Sequence, residues 1–330
     1  MKRILVTGGA GFIGSNFIRH ILKERLEWDV TNLDKLSYAG SIENCRDFDN
    51  SSHYQFVRGD IADAQFIDGL LSRYQFDVLV NFAAESHVDR SIMDSSPFIE
   101  TNVNGVRVLL DAVRSHGILR FIQISTDEVY GSIGAGKFTE ETPLQPSSPY
   151  AASKTAGDVF CRAYHKTYGA PVIITRSSNN YGPYQFPEKL IPLIIDNAVQ
   201  GKSIPIYGNG ENIRDWLYVE DNCRAIALIV EKGRLGEVYN IGGDGERSNI
   251  EIVKMICEFL ALRLQKPKSE FEKLITFVKD RPGHDFRYSI DHRKTEKEFG
   301  WSPRLSLKKG LEMTVGWYLD HREWLRKTVS

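Results

Sequence analysis

One stretch near the amino end decides the fold: Arg3-Ile4-Leu5-Val6-Thr7-Gly8-Gly9-Ala10-Gly11-Phe12-Ile13-Gly14. Its first five residues form a short aliphatic run suited to a buried strand. Glycines follow at 8, 11 and 14, and residues 13–24 then carry apolar side chains at helical spacing. Gly8 permits the tight turn, Gly11 lets backbone approach a pyrophosphate, and Gly14 allows close helix–strand packing. The first turn of the helix offers free amide groups and partial positive charge to phosphates. Twenty residues after Gly14, at the end of the next apolar run, stands Asp34. A carboxylate there accepts from both ribose hydroxyls and repels a 2′-phosphate, which favours NAD over NADP.

Outward from this loop, short apolar runs at 30–33, 55–57, 78–82, 121–125 and 172–176 alternate with helical stretches such as 64–74 and 102–116. Near-continuous apolar strands separated by helices predict a Rossmann-like α/β fold, a doubly wound parallel sheet covered on both faces. After about residue 180 the texture changes. Pro183, Pro187, Pro192 and Pro205 break the alternation, and helices are expected at 192–200, 219–232, 249–264 and 307–326. This predicts an NAD-binding domain over 1–180 and a smaller, mixed α/β domain over 181–330 packed over the sheet, its loops facing the cofactor crevice. The boundary is soft, since 219–232 and 238–241 have the character to return to the sheet.

Composition narrows the classes. The 330 residues are 42% hydrophobic, with 42 Lys and Arg against 43 Asp and Glu. A polyanion binder shows a basic excess or stripe, so nucleic acid is not expected as a partner. Met1-Lys2-Arg3 leads at once into the glycine loop, which leaves no room for a signal peptide. No apolar run reaches the ~18 residues of a membrane span. Cys45, Cys161, Cys223 and Cys257 are scattered without a CxxC pair, which suits reduced thiols in the cytoplasm and no metal site.

Two further motifs carry chemistry. Tyr150 and Lys154 lie four apart behind Ser147-Ser148-Pro149, a helix start, so phenol and ammonium share one helical face. A neighbouring ammonium, with a positive nicotinamide, is expected to lower the phenol pKa toward that of a usable base. Ser125-Thr126-Asp127-Glu128 follows the strand at 121–125, and the crevice of an open parallel sheet lies beyond the carboxyl ends of its strands. Two carboxyls there can divide acid and base roles if their surroundings separate their pKa values.

These motifs resemble the extended short-chain dehydrogenase/reductase superfamily. Ala83-Ala84-Glu85-Ser86-His87-Val88-Asp89-Arg90-Ser91, Ser125-Thr126-Asp127-Glu128-Val129-Tyr130-Gly131 and Arg281-Pro282-Gly283-His284-Asp285 resemble, within its nucleotide-sugar branch, the dTDP-glucose 4,6-dehydratases. The resemblance runs from the first strand to about Trp301. It implies a hydro-lyase that keeps NAD bound, acts on dTDP-glucose and assembles as a homodimer. Thr126, Asp127, Glu128, Tyr150 and Lys154 would be catalytic: Tyr150 the base at the 4-hydroxyl, Glu128 the base at carbon 5, Asp127 the acid for the departing 6-hydroxyl. Beside Gly8, Gly11 and Gly14, the resemblance places Phe12, Ile13, Asp34, Lys35, Leu36 and Ser37 around NAD. Asp60, Ile61, Phe82, Ala83, Ala84, Thr101 and Asn180 would complete that site. Glu85, Ser86, His87, Thr126 and Asn179 would lie near the hexose. Lys189, Leu190, Pro205, Tyr207, Arg214, Asn249, Arg281 and His284 would hold the nucleotide diphosphate, where a guanidinium fork matches phosphate oxygens. Ser37 stands where the family often has threonine.

Three alternatives remain open on sequence. One is the same dehydration of UDP-glucose. Another is a 4-epimerase or decarboxylase of the same superfamily, against which Asp127-Glu128 argues. The last is a catalytically silent NAD-binding module, which would need the glycine loop but not the other motifs.

Overall fold

The computed structural model describes residues 2–329. Strands β1 (Lys2–Thr7), β2 (Trp28–Asp34), β3 (Tyr54–Arg58), β4 (Val78–Asn81), β5 (Arg120–Thr126), β6 (Val172–Ser177) and β7 (Val238–Ile241) form one parallel sheet, ordered β7-β6-β5-β4-β1-β2-β3. β1 shows why its sequence runs unbroken: Ile4, Leu5 and Val6 are all fully buried. Ile4 and Val6 pack on one face against helices Phe12–Glu24 and Val219–Lys232. Leu5 packs on the other against Ala64–Arg73 and Val106–His116. This two-sided burial is what a doubly wound sheet requires.

The strand order reverses between β1 and β4, and the crevice opens there at the carboxyl ends. β1 delivers Gly8, whose N–H donates to Leu33 O at 2.8 Å, and β4 leads into Phe82. β5 ends in Thr126, in register with Ser177 of β6. The late segments β7 and Val219–Lys232 do rejoin the sheet, β7 pairing with β6 and the helix packing beside Phe12–Glu24. A separate apolar cluster gathers helices Leu190–Val199, Asn249–Leu264 and Leu307–Asp320 around Ile191, Ile195, Ile256 and Leu311.

Two expected helices differ in detail. The helix expected from 102 becomes α-helical only at Val106, after a π-helical turn over Glu100–Gly105. Within that wide turn, Asn102 binds both backbone groups of Glu85 and donates to Ser153 Oγ, each at 2.9 Å. The helix expected over 307–326 breaks at His321 into Leu307–Asp320 and Arg322–Val329. Beyond the break, the Trp324 indole donates to Asn44 Oδ1 at 2.9 Å. Among the described residues, no helix is long and apolar enough to cross a membrane, and no side-chain group is arranged to hold a metal ion. The four cysteines are unpaired and buried.

Candidate active site

A cavity of about 280 Å³ lies along the crevice, from the glycine loop past Asp34 to Tyr150, Asp127 and Lys189. The loop is built as a cradle. Gly8 has φ +70°, and a Cβ there would sit 2.5 Å from Ala83 N. A Cβ on Gly14 would fall 2.3 Å from Gly8 O, so the helix could not approach the strand. Phe12, Ile13, Gly11, Lys35, Ser37, Asp60 and Ile61 line the same wall, with Phe82, Ala83, Ala84, Thr101 and Asn180. Asp34 lines it too, its carboxylate already accepting from Ala10 N at 3.0 Å and Leu36 N at 2.8 Å. Leu36 does not line the wall; its left-handed backbone (φ 57°) turns the loop after β2.

The two chemical motifs meet in this cavity. Thr126 caps a single 3₁₀ turn, Asp127–Tyr130, its hydroxyl accepting from Glu128 N at 3.2 Å. Ser148 caps the helix Pro149–Tyr168, which brings Tyr150 and Lys154 to the cavity. Tyr150 N donates to Ser91 Oγ at 3.1 Å, and Lys154 Nζ donates to Ile124 O at 2.6 Å. Thr126, Asp127 and Glu128 line the wall facing them, beside Ser86, Asn179 and Lys189.

The remaining expected substrate residues stand further out. Glu85 is turned toward the cofactor end, its carboxylate 3.8 Å from Lys35 Nζ. His87 caps the helix Val88–Met93, accepting from Arg90 N, and burial lowers its imidazole pKa to about 4. That fits a neutral structural histidine. Leu190 opens the helix Leu190–Val199, Asn249 opens Asn249–Leu264, and Pro205 sits in the strand Ile204–Tyr207. Tyr207 donates to Asp89 Oδ2 at 2.9 Å and lies edge-on to His284. Arg214 is buried over the Tyr288 ring and donates to the backbone oxygens of Ile213, Phe286 and Asp285. Arg281 lies 3.6 Å from Asp89, its Nε buried without a partner.

Several residues of the site carried no sequence signal. Gln185, Phe186 and Glu188 line the cavity from the segment before Lys189. Asp215 is buried behind it, accepting from Ser178 Oγ, Gly243 N and Gly245 N. Its partners are far along the chain, so no spacing announces it.

Comparison with known proteins decides the family. The model of the GDP-mannose 4,6 dehydratase family matches residues 5–314. The chain belongs to that family. It is 49% identical to a dTDP-glucose 4,6-dehydratase of Escherichia coli, over 99% of this chain and 96% of the relative. The dTDP-glucose 4,6-dehydratase DesIV of Streptomyces venezuelae, solved with NAD and TYD bound, superposes with a TM-score of 0.92 at 47% identity, covering 99% of each chain. The Bacillus anthracis dTDP-glucose 4,6-dehydratase, solved in complex with NAD, gives 0.90 at 46%, over 99% of this chain and all of that one.

In this GDP-mannose 4,6-dehydratase family member the electrostatics of the two motifs differ. Burial pushes Asp127 well above the usual carboxylate range, and Glu128 and Asp215 push it the same way. Burial also raises Glu128, but Arg281, Lys189 and Arg214 pull it back down. Both carboxyls are therefore raised, Asp127 the further, and only Glu128 has cations as its main opposing influence. Tyr150 departs from the sequence expectation. In the protein alone its phenol pKa is raised, first by burial and then by Glu128, with Thr126 opposing through a hydrogen bond. Lys154 is itself lowered to about 8 by burial, and its ammonium points to Ile124 O.

Proposed function

We propose that the protein converts dTDP-glucose to dTDP-4-keto-6-deoxy-glucose and water, with NAD retained throughout. The observation that carries this reading is the convergence, on one cavity, of Tyr150 and Lys154 with a carboxyl pair, both raised by burial, of which Glu128 alone is opposed chiefly by cations. A 4-epimerase has no use for that second pair. The full-length likeness to dTDP-glucose 4,6-dehydratases supports the same choice.

The residues fit the cofactor. Cβ atoms at Gly8 and Gly14 would collide with Ala83 N and Gly8 O, so glycine there lets the helix start close against β1 at the cavity, where the Asp34 carboxylate lines the wall that ribose hydroxyls would meet. Bound NAD supplies an electron acceptor for carbon 4, the same electrons for carbon 6, and a positive charge beside the phenol. With NAD bound, that charge would oppose the burial and the carboxylates that raise Tyr150.

The chain's own residues then divide the proton work. Tyr150 takes the proton of the 4-hydroxyl, with the Lys154 ammonium on the same helical face favouring phenolate. The resulting ketone acidifies the hydrogen on carbon 5, and Glu128 removes it. Asp127 gives its proton to the 6-hydroxyl, which leaves as water; as carbon 6 is reduced, Glu128 returns its proton to carbon 5, and the proton taken by Tyr150 restores Asp127 by way of solvent. Thr126 orients the 4-oxygen toward Tyr150. Lys189, Arg214 and Arg281 attract the diphosphate, and Arg281 Nε offers a donor that lacks a partner. A homodimer in the cytoplasm completes the proposal. The buried, unpaired thiols and the half-exposed Val159 and Phe160 on the outer side of the helix Pro149–Tyr168 support it.

The test is product analysis after offering dTDP-glucose and UDP-glucose separately, with no NAD added. A 4-keto-6-deoxy sugar from the thymidine nucleotide is expected. Turnover of only the uridine nucleotide would redirect the proposal to UDP-glucose, and a 4-epimer as sole product would overturn it.

A further inference from the structure

Beneath the cavity floor lies a charge pair with no part in the chemistry above. Arg176, near the end of β6, donates from Nε to Asp158 Oδ2 at 2.9 Å, and the two side chains are 1% and 0% exposed. Desolvating both charges so completely is costly, and apolar residues of similar volume are often as stable. Stability alone is therefore a weak reason for the pair.

Its connections suggest another. Asp158 follows Lys154 by one helical turn on the same helix, so the pair begins directly beneath the Tyr150–Lys154 face. On its other side Arg176 donates from Nη1 to Tyr130 OH at 2.9 Å, and the guanidinium lies over the Tyr130 ring. Tyr130 is the last residue of the 3₁₀ turn that carries Asp127 and Glu128. Its hydroxyl donates onward to Asn240 Oδ1 of β7 at 2.9 Å, and Asn240 is held in turn by Phe138 O and Glu140. None of Asp158, Arg176, Tyr130 or Asn240 lines the cavity. The network runs without a break from the helix of the first catalytic pair to the turn of the second.

We propose that Asp158, Arg176 and Tyr130 are positioning residues that set the Asp127–Glu128 turn at its working distance from Tyr150 and Lys154. The proposal rests on the dehydratase reading of the cavity. Lys154 feels the same pair electrically: the Asp158 charge favours its ammonium against burial. Because the network acts on the relation between two motifs and on neither ligand directly, its loss should slow turnover and spare binding. Elimination should suffer more than oxidation, since Tyr130 belongs to the turn that carries Asp127 and Glu128, whereas the helix of Tyr150 and Lys154 is held independently at Ser91 and Ile124.

Tyr130→Phe removes one hydroxyl and keeps the ring stacked on Phe138. It is expected to lower kcat about 10- to 100-fold, the scale of an ångström of misplacement, with KM within about twofold. The ultraviolet absorbance of reduced nicotinamide should build up during turnover, marking elimination as the slowed step. Thermal unfolding is measured alongside. Should Tyr130→Phe strand its partners and unfold the chain, the double variant Asp158→Leu with Arg176→Met removes both charges without leaving either unpaired, and the same kcat loss and absorbance are expected. Unchanged kcat in a folded variant overturns the proposal, and so does a lowered Tm with no build-up of reduced nicotinamide. If the unaltered protein forms no keto sugar, the dehydratase reading fails and this proposal with it, whereas normal turnover in both protein and variants sinks the network alone.

Discussion

Lys154 Nζ donates to the carbonyl oxygen of Ile124 across 2.6 Å, which ties the helix of Tyr150 to the strand that ends in Thr126. The ammonium thereby braces the two catalytic motifs, and from the same helical face as Tyr150 it is also the cation assigned to the phenolate in the proposed reaction. Lys154→Met keeps length and volume but removes both. Dehydration is expected to fall about 100-fold or more in a chain that still folds, measured by keto-sugar formation. Burial lowers the Lys154 pKa to about 8, so the ammonium is lost as pH rises beyond that value. Activity of the unaltered protein should decline there, and the residual activity of Lys154→Met should lack that alkaline fall.

Glu128 is the carboxyl surrounded by Arg281, Lys189 and Arg214, and it is assigned the proton on carbon 5. Glu128→Gln keeps the shape and removes the base. Oxidation at carbon 4 should still occur, visible as absorbance of reduced nicotinamide, while elimination slows about 100- to 10,000-fold. Elimination at the normal rate would remove Glu128 from its role.

Asp127 offers a test of pH and stability together. Its pKa is raised well above 3.8, first by burial and then by Glu128 and Asp215. Between the unfolded value and the raised one, the folded chain holds a proton that the unfolded chain releases. Stability from this group therefore falls as pH rises through that window, and the deficit is complete above it. Asp127→Asn removes the deficit. The variant should melt higher than the unaltered protein at about pH 8, by on the order of 2 °C per kcal/mol relieved, with the gap closing toward about pH 4. Its dehydration rate should drop about 100-fold or more, the exchange of stability for function expected of buried catalytic acids.

Asp34 sets the cofactor end. Its two oxygens hold Ala10 N and Leu36 N while facing the cavity. Asp34→Asn keeps the outline but lowers the negative charge and leaves one amide without its acceptor. The purified variant is expected to carry less NAD than the unaltered protein, by cofactor content per chain, and to discriminate less against NADP in competition.

The legible parts of this protein are those where one local rule suffices. The glycine loop, Asp34 and the strand-helix alternation fixed the sheet and its crevice, because backbone clearance and two-sided burial act over a few residues. Helix 249–264 was readable to the residue, since Ser248 and Glu251 form a capping box at its start. The break at His321 was not, since no local breaker residue stands there and the helix beyond it is held by a distant contact, Trp324 to Asn44, 280 residues away in sequence. The same holds in the site. Tyr150 and Lys154 share a helix face by spacing, yet the raised phenol pKa depends on Glu128, which only the fold brings near. Glu85 reads as a hexose neighbour but turns to Lys35, because Asn102 in the π-helical turn fixes its backbone.

The central claim is that the two catalytic pairs act on one sugar without releasing it between oxidation and elimination. Substrate labelled with deuterium at carbon 4, turned over in ordinary water with no NAD added, tests it most directly. The account predicts a 4-keto-6-deoxy product with the label at carbon 6; product in which that label has been lost to solvent or to exchanged cofactor would contradict it.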